Sequence, residues 1–336
     1  MLILVAVASV FAGASSGTHP NREEPPLSPV HHVGRMDPSL ATVPAEFAAH
    51  ASGLTRQPLV GRAIGAVHTE VSIAHLATGG WVDRHVHAFE LAIYVLAGSP
   101  VLSLDRRRLR LAAGDYALVP MGMPHAWSND EGADDARWLA VSTPTRVGDD
   151  EDRRDTFFLG DDAETAAIAV ETPAFGDPRH RLVGHYEGTP PQAEALAVLD
   201  PAVGRRPAGM DTAIIAYSGI SVRMMVDRVF GSELLTMFTV DYEPNGAAQV
   251  HDHPYEEAYV FLEGEIDAVL DGESHRIRAG DVVFAGVGSA HGFFNTSPGR
   301  VRWIETQAPQ PPMRHSYRWV DVWKQFEAGL AGETRR

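Results

Sequence analysis

Short apolar runs separated by turn residues make up most of the chain from about residue 60 onwards. The clearest of these runs cover residues 71–76, 91–96, 101–104 and 116–119. Glycine, proline and aspartate fill the gaps between them, as in Gly79-Gly80 and Gly114-Asp115. Helical periodicity is absent from this part of the sequence, and regular short strands with such turns are typical of a sandwich or a barrel. The pattern therefore predicts an all-β fold.

The same pattern occurs twice along the chain. A shift of 166 residues, with no gap, superimposes six pairs of residues: His85 on His251, His87 on His253, Gly98 on Gly264, Gly114 on Gly280, His125 on His291 and Asn129 on Asn295. Two copies at one fixed offset indicate a duplicated domain, because chance spacing does not repeat in this way. We therefore expect two tandem barrels, one over residues 36–150 and one over residues 211–315.

The segments outside the two copies have a different character. Residues 151–210 contain charge clusters and many prolines and glycines, so we expect a connector, with a helix over residues 191–199. After the second copy, four large apolar residues recur at helical spacing: Trp319, Trp323, Phe326 and Leu330. This spacing predicts a short C-terminal helix within residues 316–336 that packs its aromatic face on a barrel or on a partner subunit.

Residues 1–35 are predicted to be a signal-like or disordered segment. Residues 2–14 are almost wholly apolar and end in small residues, as the core of a signal peptide does, but no lysine or arginine precedes them. The apolar run is also too short to span a bilayer. Residues 15–35 show no periodicity, so we expect them to be disordered. We expect a cytoplasmic protein, with export as the alternative if the apolar run is a true signal peptide.

Composition narrows the chemistry that the chain can perform. Of its 336 residues, 44% are hydrophobic and 21% are charged, as is typical of soluble globular proteins. The net charge of −16 argues against nucleic acids and anionic membranes as partners, because both attract basic surfaces. The chain contains no cysteine, so a bound metal must be held by nitrogen and oxygen ligands. Exposed barrel edges and the aromatic tail lead us to expect a homodimer.

One stretch of the second copy combines metal-binding residue types at a suitable spacing. His251 and His253 are two residues apart, so both side chains point to the same face of a strand. Glu257 opens the next apolar run, which we expect to return as the neighbouring strand, and His291 follows a further hairpin. Three imidazoles and one carboxylate leave a six-coordinate ion two open positions for a substrate or O₂. These four residues are therefore the predicted metal site.

The same residues carry the motifs of a known superfamily, because the chain resembles a duplicated cupin, or bicupin. In the first cupin motif, a glycine is followed at fixed intervals by His-x-His, a glutamate and a second glycine. The second copy matches this motif at His251, His253, Glu257 and Gly264, with Gly246 one residue closer than the usual leading glycine. It matches the second motif at Gly280, Gly288, His291 and Asn295, with Gly286 in place of the usual proline. The first copy matches the second motif throughout, at Gly114, Pro120, Gly122, His125 and Asn129.

The first copy departs from the cupin pattern at one metal ligand. His85, His87 and His125 are in place, but Leu91 stands where the glutamate belongs. Glu90 lies one residue early, and neighbouring residues of a strand point to opposite faces, so we expect its side chain to point away from the histidines. A local bulge is the alternative that would turn it back. The first site is expected to be either a three-histidine metal site or an altered pocket that binds something else.

The resemblance implies two jelly-roll (double-stranded β-helix) barrels and a divalent transition metal, which would be Mn, Fe, Ni, Co or Cu. It favours an oxidoreductase of the quercetinase type, in which a small oxygen-rich substrate chelates the C-terminal metal and is cleaved by O₂. A Lewis-acid hydrolase, decarboxylase or isomerase is the alternative enzyme, and a non-catalytic small-molecule binder is the alternative outside enzymes. Tyr259 and Phe261 share the face of Glu257, so they are the candidates for lining its pocket.

Overall fold

The computed structural model describes residues 30–146, 154–160, 167–186, 214–217, 219–311 and 318–319. Within these ranges the helices are four 3₁₀ turns of three residues each: Pro38–Leu40, Ala45–Phe47, Arg62–Ile64 and Pro178–His180. None of the helices in these ranges is long and apolar enough to cross a membrane. The remaining regular structure consists of β-strands, which confirms the predicted all-β class.

Twelve strands belong to the first part of the chain. They are β1 (His31–Arg35), β2 (Ala51–Val60), β3 (Glu70–His87), β4 (Glu90–Ala97), β5 (Val101–Leu104), β6 (Arg107–Arg110), β7 (Asp115–Val119), β8 (His125–Ser128), β9 (Ala136–Thr143), β10 (Thr156–Phe158), β11 (Val170–Glu171) and β12 (Val183–His185). The strands predicted at 71–76, 91–96, 101–104 and 116–119 lie within β3, β4, β5 and β7 and are confirmed.

The 18-residue strand β3 closes the first barrel. Its N-terminal half pairs with β9, whereas its C-terminal half pairs with β8, and β2 runs along its other edge. Because one strand serves two sets of neighbours, a single sheet curls round in the order β11-β6-β5-β8-β3-β9-β4-β7-β12. The histidine-bearing end of β3 therefore faces β8, which carries the third histidine.

Eleven strands form the second barrel and its margins. They are β13 (Ile214–Tyr217), β14 (Ile220–Val226), β15 (Thr236–Tyr242), β16 (Ala247–Asp252), β17 (Glu256–Glu263), β18 (Glu265–Leu270), β19 (Glu273–Arg278), β20 (Asp281–Ala285), β21 (His291–Phe294), β22 (Val301–Ala308) and β23 (Arg318–Trp319). They form two sheets, ordered β1-β20-β17-β22-β15-β14-β13 and β19-β18-β21-β16-β23. The two sheets enclose an aromatic-rich core, so the predicted jelly-roll barrel is present here too.

The residues that the repeat superimposes play the same structural parts in both barrels. Asn129 and Asn295 each place their side-chain amide nitrogen 2.8–3.3 Å from three backbone carbonyl oxygens, which fixes the turn after β8 or β21. Gly98 and Gly264 have φ angles of 78° and 79°, a conformation that other residues rarely adopt. A Cβ on Gly264 would lie 2.4 Å from the carbonyl oxygen of Arg300, so no side chain fits there.

Two strands from outside the predicted barrels cover equivalent sheet edges. β12, from the expected connector, pairs antiparallel with β7, and β1, from the expected disordered segment, pairs antiparallel with β20. The prediction of disorder is therefore wrong for residues 31–35, because the open edge of the distant second barrel offers them a strand partner. The covered edges also remove part of the reason for expecting a homodimer, which stays a prediction.

One short strand follows the second barrel within the described residues. Residues 318–319 form β23, which pairs with β16 opposite His251 and Asp252, so Trp319 is extended where a helix was predicted. Pairing with the exposed edge of β16 overrides the helical spacing of the aromatic residues at this point. The rest of the predicted C-terminal helix and the helix predicted at 191–199 lie outside the described residues.

Two buried carboxylates tie the barrels together in a reciprocal manner. Glu256, at the start of β17, accepts hydrogen bonds from the backbone N–H groups of residues 67–69 in the first barrel, at 2.7–3.0 Å. Its repeat counterpart Glu90, at the start of β4, accepts three hydrogen bonds from residues 232–234 in the second barrel, at 2.7–2.9 Å. An apolar cluster that contains residues of both halves surrounds the junction. The two barrels therefore share one interface.

Candidate metal centres

The four residues predicted to bind metal in the second barrel meet inside it. His251 lies on β16, His253 follows that strand directly, Glu257 lies on β17 and His291 on β21. The three histidines place one ring nitrogen each within 4.8 Å of one another. Glu257 Oε2 is 2.9 Å from His253 Nε2 and 3.1 Å from His291 Nε2. We call this group of four residues the C-terminal cage.

Backbone carbonyl oxygens fix the orientation of all three imidazoles. The Nδ1 atoms of His251, His253 and His291 lie 2.7, 2.9 and 2.9 Å from the carbonyl oxygens of residues 249, 255 and 289. A carbonyl oxygen only accepts, so each Nδ1 carries a ring proton and each Nε2 is directed towards the centre of the cage. This arrangement is the one that histidine adopts when it ligates a metal through Nε2.

Side chains around the cage hold Glu257 in place. Gln307 Nε2 donates to Glu257 Oε1 at 2.7 Å, and the Tyr259 hydroxyl donates to Oε2. Tyr259, which the sequence suggested as a pocket residue, is therefore in direct contact with the cage. Phe261, the other suggested pocket residue, is fully buried and packs on Trp303 with the ring centroids 5.0 Å apart. Phe261 is part of the barrel core.

The electrostatics of the cage favour a bound cation. Burial disfavours a charge on Glu257, but His253 and His291 outweigh this effect and hold the pKa of the carboxyl well below its usual range. Burial lowers the pKa of His251 to about 4, so its imidazole is neutral near pH 7. Burial and the nearby charge of Glu257 raise the pKa of Glu305 well above its usual range, which favours a neutral carboxylic acid. Burial opposes a charge on His253, but Glu257 outweighs this effect and raises the pKa of that imidazole. The cage thus combines one anionic oxygen ligand with imidazole nitrogens, a set suited to divalent transition metals.

Sequence reasoning missed two polar residues that support the cage. Gln307 binds Glu257, and Glu305 accepts a hydrogen bond from Trp303 Nε1 at 2.9 Å beneath it. Both residues lie on β22, which pairs with β17 so that Gln307 stands directly opposite Glu257. Their signal in the sequence is a pair of polar residues two and four positions after Trp303, which places both on the same face of the strand as that buried ring.

The three histidines of the first barrel also converge. His85 and His87 lie on β3 and His125 lies on β8, all three are buried, and their ring nitrogens lie within 4.8 Å of one another. The Nδ1 atoms of His85 and His125 lie 2.6 and 3.0 Å from backbone carbonyl oxygens, and that of His87 lies 2.9 Å from the hydroxyl of Thr156. The Nε2 of His125 is buried with no hydrogen-bond partner among the described residues, as expected of a metal ligand. We call these residues the N-terminal triad.

The alternation of side chains along β4 separates Leu91 from Glu90 as predicted. Leu91 belongs to the apolar core inside the first barrel. Glu90 points outward and accepts hydrogen bonds from Ser232 Oγ and two backbone N–H groups of the second barrel. No bulge brings Glu90 back to the histidines, so the triad has no carboxylate at the position that Glu257 occupies in the C-terminal cage.

A cavity of about 40 Å³ lies against the N-terminal triad. Two small side chains line this space, because Ser72 on β3 and Ala140 on β9 stand side by side in the cavity wall. The pair at the same position of the second barrel is Phe238 and Glu305, whose side chains are larger. Sequence reasoning missed the cavity, although a comparison of the two copies contains these differences of side-chain volume.

Comparison with known proteins places these centres in context. A family model described as Cupin domain matches residues 72–142 and again residues 238–306. No curated protein sequence matches the chain. Salicylate 1,2-dioxygenase from Pseudoaminobacter salicylatoxidans, solved as adducts with gentisate, superposes with a TM-score of 0.61 at 14% identity, over 83% of this chain and 81% of that one.

Two oxalate decarboxylases are also similar in structure. The enzyme from Bacillus subtilis superposes with a TM-score of 0.55 at 16% identity, over 87% of this chain and 78% of that one. The enzyme from Lactobacillus farciminis, solved as a formate complex, gives a TM-score of 0.53 at 17% identity, over 81% of this chain and 85% of that one. At these identities the likeness establishes a shared fold.

Proposed function

The chain belongs to the cupin superfamily and is a bicupin, with one cupin domain in each half, and from this premise we propose that it is a metal-dependent enzyme. The C-terminal cage would hold a divalent transition metal (Mn, Fe, Ni, Co or Cu) through His251, His253, Glu257 and His291. The substrate would be a small oxygen-rich organic molecule, and the preferred reaction is its dioxygenation. The convergence of these four ligands on one point is the observation that carries the proposal.

The residues present fit a metal ion on chemical grounds. Three imidazole Nε2 atoms and one carboxylate oxygen lie around a common centre, and the chain contains no cysteine that could compete for the ion. Once bound, the ion would supply Lewis acidity and, if it is redox-active, electrons. Metal-ligating histidines and carboxylates need fixed partners, and here carbonyl oxygens, Tyr259 and Gln307 provide them.

The protein itself would orient and shield the reacting groups. Glu257 and His291 are buried, whereas His251 is only partly buried, so a substrate would reach the cage from the side of His251. The Tyr255 ring stacks on His253 with the centroids 3.9 Å apart, which fixes that imidazole and keeps water from its face. The Tyr259 hydroxyl donates a hydrogen bond to Glu257 and so fixes the carboxylate without protonating it.

Metal content is the direct test of this proposal. Elemental analysis of protein purified without chelator should give at least one transition-metal ion per chain, and His253→Ala should lower the content by one equivalent and abolish turnover. His75→Ala is the matched control, because His75 contacts Asp135 on the surface of the other barrel and lies outside both centres. Full metal content and full turnover in His253→Ala would show that the cage is not the site of reaction.

A decarboxylase is the second candidate, supported by the structural likeness to two oxalate decarboxylases. Salicylate 1,2-dioxygenase supports the first candidate in the same way. A screen of small carboxylic acids, vicinal diols and flavonols separates the two reactions, because a dioxygenase consumes O₂ with its substrate whereas a decarboxylase releases CO₂ without net O₂ uptake. Stoichiometric metal without turnover of any such compound would favour a non-catalytic binding protein.

A further inference from the structure

Two arginines whose side chains are 15% and 17% exposed, Arg56 and Arg146, line the cavity of the first barrel, and they differ in how well their charge is compensated. Arg146 donates to Glu70 from Nε at 2.6 Å and to Glu46 from Nη1 at 2.8 Å. Arg56 has one hydrogen bond to a side chain, from Nη1 to Glu46 at 3.5 Å, and its Nε is buried without a partner among the described residues. Arg56 is therefore a mostly buried cation, 5.4 Å from the Phe47 ring centroid, whose buried Nε donor is unused among the described residues.

The charge of Arg56 persists in this environment. Burial, followed by repulsion from Arg146, lowers the pKa of Arg56 to about 10, which leaves the guanidinium charged near pH 7. Unsatisfied charged donors in a buried position are costly, and a carboxylate matches the planar fork of a guanidinium with two parallel hydrogen bonds. The unused Nε of Arg56 therefore indicates an anionic ligand.

The missing glutamate of the N-terminal triad leads to the same class of ligand. In the C-terminal cage, Glu257 supplies one negative charge to the ligand set, whereas Leu91 supplies none at the equivalent position. A divalent ion on His85, His87 and His125 would keep both of its charges uncompensated by protein ligands. An anion in the adjoining cavity would supply the missing negative charge on the side of the triad where the carboxylate is absent.

We propose that the cavity of the first barrel is a second binding site and that it takes a small carboxylate anion, which Arg56 binds next to the N-terminal triad. A volume of about 40 Å³ exceeds the roughly 10–15 Å³ that one water molecule requires, and it suits an acid of two or three carbons. The stacked rings of Trp127 and Trp138, 4.4 Å apart, form an apolar wall that strengthens the ionic contact by excluding water. This site goes beyond the proposed function, because that function assigns the metal chemistry to the other barrel.

Isothermal titration with oxalate tests the site directly and requires no turnover. Wild-type protein should bind oxalate, and Arg56→Met should weaken binding at least tenfold, because a charge-assisted pair of hydrogen bonds is lost. Oxamide, the neutral analogue of the same shape, should not bind. Arg137→Met is the matched control, because Arg137 is exposed on the same barrel and should leave the affinity unchanged.

Further variants separate this site from the C-terminal cage, where oxalate could chelate a metal. His253→Ala should lose the metal of the cage yet keep the Arg56-dependent binding of oxalate. Loss of binding in His253→Ala with retention in Arg56→Met would overturn the inference, whereas failure of the enzyme proposal would leave the titration unaffected. Arg56→Met should fold, because Glu46 keeps Arg146 as its partner. If the circular dichroism of Arg56→Met differs from that of wild type, Arg56→Lys is used in its place, because lysine keeps the charge and removes the planar fork. An unchanged affinity for oxalate in Arg56→Lys would also overturn the inference.

Discussion

Replacing Glu256 by glutamine should loosen the contact between the barrels and leave both metal centres intact. The carboxylate accepts one backbone N–H at Oε1 and two at Oε2, from residues 67–69. Glutamine keeps a single acceptor oxygen, and its NH₂ group would face at least one N–H donor, which cannot bond to it. The remaining hydrogen bonds would also lose the strength that the negative charge provides.

The expected loss follows from these three contacts. Hydrogen bonds to a charged group contribute about 1.5–3 kcal/mol and neutral ones about 0.5–1.5 kcal/mol. The loss of one bond and the weakening of two therefore lower the free energy of unfolding by about 3 kcal/mol. The decrease is smaller where a water molecule replaces the lost partner. Glu90→Gln should have a similar effect from the opposite side, because residues 232–234 surround Glu90 in the same way.

Urea unfolding followed by tryptophan fluorescence measures this loss, and elemental analysis of the same sample measures the bound metal. We expect an earlier unfolding transition, which splits in two if the barrels begin to unfold separately. Metal content should equal that of wild type, because Glu256 points away from the cage. A change in unfolding free energy below about 0.5 kcal/mol, or a loss of metal, would refute the reasoning, since surface substitutions alone give changes of that size.

Three other substitutions or conditions test the remaining features. Glu257→Gln should lower the metal content by one equivalent per chain with little change in the barrel interface, because the anionic ligand becomes a neutral amide. Gly264→Ala should cost about 3 kcal/mol in urea unfolding, because its Cβ would lie 2.4 Å from a carbonyl oxygen; Gly272→Ala, at a similar φ but in open space, should cost only about 1 kcal/mol. Chelator-treated protein should lose stability as pH falls from about 6.5 to about 4, because burial lowers the pKa of His125 and of His251 to about 4 and the unfolded chain takes up those two protons first. These two histidines contribute about 2.7 kcal/mol per pH unit, and His85 and His87, whose pKa values burial also lowers, act in the same direction. Melting temperatures that stay constant between about pH 7 and about pH 4.5 would contradict that burial.

Much of the fold and of the candidate sites was predictable because it depends on local spacing. A strand has a side-chain period of two, so His251 and His253 had to share a face, and Glu90 and Leu91 had to face opposite sides. The 166-residue repeat then placed equivalent side chains in equivalent positions, including the third histidine of each centre. These arguments require no knowledge of which strands lie side by side.

The features that escaped sequence reasoning depend on contacts between distant strands. Gln307 supports Glu257 only because β22 pairs with β17 in one particular register. Residues 31–35 gave no strand signal by themselves, and they become a strand because the edge of β20, about 250 residues later in the chain, accepts them. The two small residues in the cavity wall stand side by side on β3 and β9, which the composition of either strand alone does not reveal.

The difference between the two centres extends beyond the exchange of one ligand. In the second barrel, the strand opposite Glu257 carries Gln307, which binds the carboxylate, whereas in the first barrel the residue opposite Leu91 is Ser142. A glutamate at position 91 would therefore lack the amide that holds its counterpart in place. The loss of the carboxylate ligand is accompanied by the loss of its supporting side chain and by a cavity beside the histidines. The carboxylate and the amide that would support it are thus absent together, as expected if the anion that we propose in the adjoining cavity takes the place of the carboxylate.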